Sequence, residues 1–430
     1  MPELIAALIA FVTIGVIFSD KLHRLTAGAV GAAVMVLVGH FLGFFGEEAA
    51  IEAIDYETLG LLLGMMIIVQ LLGQTGFFDA VAIWTARKAG RSPWRLLLLL
   101  GTATTVLSMF LDNVTTVVLI APMTLRIAEL MGISPLPLLI SEAILSNTGG
   151  VATLVGDPPN VIIGSRSHLG FMDFITHLSP IVFVVWLVTL AVLRWRFRHF
   201  LATPPGDTSG LAALSVRDAV TDPRGMRRVL AVLLAVIGLF FAESLLHLSP
   251  AAAALSGAAA AILWLRPNIE ATLREVEWSV LLFFAALFVL VGGLEAAGVM
   301  RMLAGALLSL GTDNTLVLGL IVLWGVAILS AVVDNIPITI AIIPIIQELS
   351  RTGLPDVEAL WWALALGAGL GGNGTIIGAT ANIVVVAVSE RTSRPITAPM
   401  WLRVGAPVML ASLTAVTVLY VLAFPFLAGR

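Results

Sequence analysis

Charged residues are set so far apart in this chain that apolar stretches of about 17 to 22 residues run between their clusters, and nothing else in the sequence restricts the fold as much. A helix rises about 1.5 Å per residue, so roughly 20 apolar residues cross a hydrocarbon core of about 30 Å. Charged residues are 12% and apolar residues 59% of the 430, with a mean hydropathy of +1.05. A soluble domain carries roughly 25% charged residues. The pattern excludes a soluble globular enzyme and an all-β secreted domain. It predicts an all-α polytopic membrane protein, because only segments that satisfy their own backbone groups cross lipid. The absence of cysteine removes disulfides, thiolate metal sites, cysteine nucleophiles and thiol capture of metalloids. No metal site and no cofactor is expected. A net charge of −4 spread over short loops offers nothing to nucleic acid.

Full spans are expected near 4–19, 26–45, 58–75, 138–165, 175–193, 227–243, 249–265, 279–297, 358–388 and 404–425. Two further stretches, 93–130 and 315–349, are each long enough for two spans and are interrupted at mid-length by a polar motif. The segment 77–91 is too short and too basic to span, and reads as an interfacial helix. Met1-Pro2-Glu3 puts an acid where a signal peptide needs a base, so 4–19 is expected to be a retained span. The linker is 201–225, with Pro204, Pro205, Gly206, Gly210 and Pro223. Arg194, Arg196, Arg198, Arg217, Arg224, Arg227 and Arg228 surround it. Lys21 and Arg24 fall in one loop, Arg87, Lys88 and Arg91 in another, and Arg391, Arg394 and Arg403 precede the last span. The loop 46–57 is purely acidic. The positive-inside rule then places the linker in the cytoplasm and both termini outside a plasma (inner) membrane.

The chain also repeats itself. Asp112-Asn113 matches Asp334-Asn335 at an offset of 334 − 112 = 222, and Pro122 matches Pro344 at the same offset. So do Gly149-Gly150 and Gly371-Gly372, Thr153 and Thr375, Gly156 and Gly378, Asn160 and Asn382. The windows 111–122 and 149–160 match their partners without a gap, at 4 and 5 identities, mostly on residues that are scarce in spans. This predicts repeats at 1–200 and 226–430. Each holds an odd number of crossings, so the second copy lies upside-down, as in inverted-repeat secondary transporters.

The interrupted stretches read as re-entrant hairpins: Trp94–Leu111 runs inward, 112–116 turns, and Val117–Glu129 returns. Two ordinary spans joined by a short loop are the alternative. The second motif is Ser146-Asn147-Thr148-Gly149-Gly150 with Thr153 and Gly156-Asp157-Pro158-Pro159-Asn160, matched by Gly371-Gly372-Asn373-Gly374-Thr375 through Asn382. Glycine and proline there are expected to break the helical ladder, leaving Asn, Ser and Thr beside freed carbonyls. Packing through small residues is the alternative. The expected contacts to substrate are Asn113, Thr115, Asn147, Thr148, Thr153, Asn160, Asn335, Asn373, Thr375 and Asn382. The intramembrane acids are Asp112, Asp157, Asp334 and Glu142, candidates for proton coupling; no Lys or Arg lies in the middle of a span. Glu142 has no acidic twin, since the offset leads to Leu364.

Leu111-Asp112-Asn113-Val114-Thr115-Thr116 and the Ser146–Asn160 motif resemble the ion transporter superfamily, and within it the arsenite permease (ArsB) group, with NhaD sodium/proton antiporters and P-protein-type permeases nearby. The resemblance runs over nearly the whole chain. It implies two inverted repeats, each with a re-entrant hairpin and an unwound transmembrane helix, often in a homodimer. Dicarboxylate transporters of that superfamily have Ser-Asn-Thr at the hairpin tips; here the tips read Asp112-Asn113-Val114 and Asp334-Asn335-Ile336. The function implied is arsenite or antimonite efflux by proton antiport with alternating access. A Na⁺/H⁺ antiporter is the alternative, followed by a sodium-coupled anion symporter. Some arsenite permeases work with a soluble ATPase partner; this chain has no P-loop of its own.

Overall fold

The computed structural model describes residues 2–18, 22–202, 206, 214–309, 314–392 and 394–429, and all regular structure among them is helical. Lys21, Pro204, Pro205 and Gly210 of the sequence reading lie outside the described residues.

Counting helices of at least six residues among the described residues, ten fill the first half. They are α1 (Pro2–Phe18), α2 (Arg24–Leu42), α3 (Glu47–Ala53), α4 (Tyr56–Gly73), α5 (Phe77–Ala89), α6 (Pro93–Phe110), α7 (Asn113–Leu130), α8 (Leu136–Gly150), α9 (Pro158–Ser167) and α10 (Phe171–Arg196). Ten follow in the second: α11 (Pro223–Phe241), α12 (Pro250–Leu265), α13 (Ile269–Arg274), α14 (Trp278–Ala296), α15 (Val299–Ser309), α16 (Thr315–Val332), α17 (Asn335–Arg351), α18 (Glu358–Gly371), α19 (Thr380–Ser389) and α20 (Ala398–Leu422). Adding 222 to the bounds of α6 or α9 gives the bounds of α16 or α19 without adjustment. The repeat therefore extends far beyond the two motifs that reveal it in sequence.

Packing pairs the halves reciprocally. α4 lies along α12 and α2 along α14; α7 packs on α19 and α17 on α9. Each relation maps onto its partner when the repeats are exchanged. α1–α4 with α11–α14 form one bundle, and α6, α8, α10, α16, α18 and α20 form the heart of the other. All of α8 is buried, whereas α1 and α2 expose Leu4, Leu8, Phe11, Val30, Leu37 and Phe41 to the lipid side. The inversion is visible at the hairpin mouths. The end of α7 meets the linker, where the Gly206 N–H donates to Met131 O. The end of α17 meets the far end of α9, where Gln347 donates to Arg166 O at 3.2 Å. The broken helix α8–α9 runs from the first mouth to the second, so the two hairpins open on opposite faces.

Each hairpin tip is tighter than the five-residue turn 112–116 expected. Leu111 and Val333 are extended, and α7 and α17 begin at Asn113 and Asn335. At the first tip Asp112 caps α7 as it restarts; α17 restarts at the matching position without such a cap. The ladder breaks within the motif as expected, immediately after Gly150 and Gly371, which are the last residues of α8 and α18. A Cβ on Gly149 would overlap Thr105 O of α6, and one on Gly371 would overlap Ala327 O of α16. These glycines bring the broken helix against the hairpin.

Candidate functional site

Four helices begin at the centre of the molecule: α7 and α17 from the hairpin tips, α9 and α19 from the broken helices. A helix N-terminus presents free N–H groups and roughly half a positive charge. Three of these four ends carry a carboxylate at the N-cap: Asp112 on α7, Asp334 on α17 and Asp157 on α9. The fourth has Ala379 there.

Asp157 is the meeting point. It is 1% exposed, and both hairpin tips reach it. Asn113 donates to its Oδ1 at 3.4 Å, and Asn335 donates to both oxygens at 3.3 Å. Asn113 also donates to Asn147 at 3.1 Å, and Asn147 donates to Asn373 at 3.0 Å and Asn382 at 2.9 Å. A chain of buried amides thus links the repeats. Its symmetric members are Asn113 and Asn335; Asn382 is matched by Asn160, which bonds main-chain carbonyls instead. Asp157, Asn147 and Asn373 have Ala379, Gly369 and Val151 at the matching positions. The twofold frame therefore encloses a centre with no twofold symmetry. Asn113 Oδ1, Asp334 Oδ1 and Asn373 Nδ2 are buried without a partner. Unpaired buried polar atoms each cost about 1–3 kcal/mol, so these three are open to a bonding partner, as are Thr116 Oγ1, Glu142 Oε2, Trp186 Nε1 and Trp362 Nε1 elsewhere.

The remaining expected residues hold the frame. Thr153 donates to Met109 O and Thr375 to Ala331 O, the same bond in both repeats. Ser108 donates to Ser146 O at 2.8 Å and Ser330 to Ala368 O at 2.7 Å, another matched pair. Asn160 donates to Thr153 O and Asn382 to Thr375 O, each at 2.8 Å, closing the unwound turns. Thr148 bonds back to Ile144 O within α8. Thr115 bonds Asp112 through both its N–H and its hydroxyl. Glu142 lies apart, accepting from Thr124 of α7.

One residue escaped the sequence reading. Arg24, taken as a loop base, is the first residue of α2, and its guanidinium donates to Asp334 at 3.2 Å and Thr380 at 2.9 Å. Thr380 also donates to Asp334, at 3.1 Å. The inventory of acids without a base therefore holds for span centres but not for the site. No sequence signal pairs residues 310 positions apart on different elements.

Residues 8–367 match the family model described as citrate transporter. The chain belongs to that family, within the ion transporter superfamily. It is 40% identical over 417 residues to the 46 kDa membrane protein of Mycobacterium leprae, covering 96% of each chain. It is 32% identical to human P protein over 496 residues, covering 95% of this chain and 58% of that one. Among solved structures it superposes on the YdaH transporter of Alcanivorax borkumensis with a TM-score of 0.60 at 17% identity, covering 99% and 98% of the two chains. That likeness is one of fold, and the fold is all-helical with inverted repeats. This citrate transporter family member is a multi-pass membrane transporter and not an enzyme.

Proposed function

We propose that the chain is a proton-coupled efflux carrier for a hydroxylated, uncharged solute, arsenite or antimonite, working by alternating access. One observation carries the reading. Three of the helix N-termini that would hold a substrate anion already carry the protein's own carboxylates, Asp112, Asp157 and Asp334, at the N-cap position. A carboxylate or citrate entering there would meet three like charges against the single guanidinium of Arg24. A neutral solute with O–H groups instead finds the unpaired acceptors Asn113 Oδ1 and Asp334 Oδ1 and the unpaired donor Asn373 Nδ2. Asp157 is the proposed proton carrier, because only it is bonded by both tips. Asp112 and Asp334 are then charges of the frame, and Glu142 stands outside the cycle. The linker 201–225 is taken as cytoplasmic and both termini as outside, so that the inward proton gradient drives export.

A Na⁺/H⁺ antiporter is the second reading. The same unpaired acceptors beside Asp157 favour it, since oxygen ligands suit a hard cation. Proteoliposomes with an imposed pH gradient separate these. Arsenite movement and proton counterflow without sodium support the first. Sodium-dependent proton release with no arsenite movement selects the second. Citrate uptake dissipating the gradient would overturn both.

A further inference from the structure

The two tip carboxylates occupy matching positions yet are held by unrelated means. Asp112 is bonded by Thr115 of its own helix. The residue matching Thr115 is Pro337, which has no N–H, so Asp334 cannot cap α17 in that way. Asp334 is held instead from outside its hairpin, by Arg24 of α2 and Thr380 of α19. The positions matching those two are Leu246 and Pro158, neither of which can bond Asp112. Among the described residues, only the second tip therefore owns a cation. Arg24 is braced for this: its guanidinium lies 5.7 Å from the Phe283 ring centroid of α14.

We propose that Arg24 is a positioning residue that keeps Asp334 permanently ionised and tied to the α1–α4 bundle, so that the transported proton is confined to Asp157. The inference rests on the proton-coupling reading above. An opposite charge at 3.2 Å favours the carboxylate form, and a group held ionised cannot carry a proton through a cycle. The charged groups facing this pair are Asp112, Asp157 and Glu277. All are acidic, so Arg24 is the cation, among the described residues, that lets these three and Asp334 coexist around one centre.

Difference infrared spectroscopy of the purified full chain at neutral pH tests the assignment, through the carbonyl stretch of protonated carboxyl groups. Arg24→Gln should gain the band of one protonated carboxyl, absent from wild type and from the double variant Arg24→Gln/Asp334→Asn. Arg24→Lys should keep the wild-type spectrum. Asp334→Asn alone should remove no band; loss of one would show that Asp334 is protonated in the wild type and would overturn the proposal, even if Arg24→Gln fails to fold. An Arg24→Gln spectrum unchanged from wild type would also overturn it. Proton flux in proteoliposomes is measured in parallel. If the wild type does not couple transport to protons while the bands behave as stated, the coupling reading falls and the role of Arg24 stands. If coupling is intact and the bands do not move, the reverse holds.

Discussion

The two hairpin tips have nearly the same backbone and different chemistry. Both follow an extended residue, both restart a helix at an asparagine, and both send that asparagine to Asp157. The first tip closes on itself through Asp112 and Thr115. The second is open at Pro337 and closed by Arg24, which belongs to the other repeat. Duplication thus supplied the frame, and single substitutions at matched positions made its halves unequal. Inequality suits a carrier: two identical tips would hold a proton or a solute with equal strength on both sides of the axis.

The largest expected effect tests whether both tips serve one group. Asp157→Asn leaves the shape but removes the carboxylate that both asparagines address. Proton-driven transport in proteoliposomes should become undetectable, while detergent-solubilised protein still elutes as wild type. Retained coupling would return Asp112 to candidacy and dissolve the unequal roles.

Next, the frame should respond equally in both repeats. Gly149→Ala and Gly371→Ala each drive a methyl into a backbone carbonyl of the hairpin. Overpacking of this kind costs typically about 1–3 kcal/mol, so both should lower the melting temperature alike. A large difference would mean that the symmetry is cosmetic.

Smaller effects should be unequal. Thr115→Ala keeps the backbone N–H that Asp112 caps and removes only the hydroxyl bond to it, so it should cost about 1 kcal/mol of stability with little change in transport. Thr380→Ala removes a bond to Asp334 from another helix, so it should affect transport more than stability. Melting curves and uptake rates on the same preparations give both readings.

The smallest effect is electrostatic. Glu277 precedes α14, and burial, reinforced by Asp112 and opposed by Arg24, pushes its carboxyl above the usual carboxylate range. The folded state therefore holds this proton more tightly than the unfolded chain. The stability it contributes is full below the ordinary carboxylate range and is lost as pH rises through the raised value. Glu277→Gln should flatten the decline in melting temperature across that window, and an unchanged slope would remove Glu277 from the set facing Arg24.

What the sequence by itself determined is the frame. The spacing of charges required spans, the 222-residue offset required a duplication, and the odd number of crossings required inversion. Those are periodic or additive properties, and a linear string records them faithfully. Asn113, Asn147, Asn335, Asn373 and Asn382 were legible for a related reason: amides are costly in lipid and must gather. The tertiary structure decided their division of labour. Thr148, Thr153 and Thr375 resemble ligands in sequence and are spent on carbonyls. Gly149 resembles a helix breaker and is also a contact surface. Arg24 resembles a cytoplasmic anchor and is the counter-cation of Asp334. Each depends on which atom lies within about 3 Å across elements distant in the chain. A hydrogen bond is won or lost at that range, and sequence spacing carries no record of it.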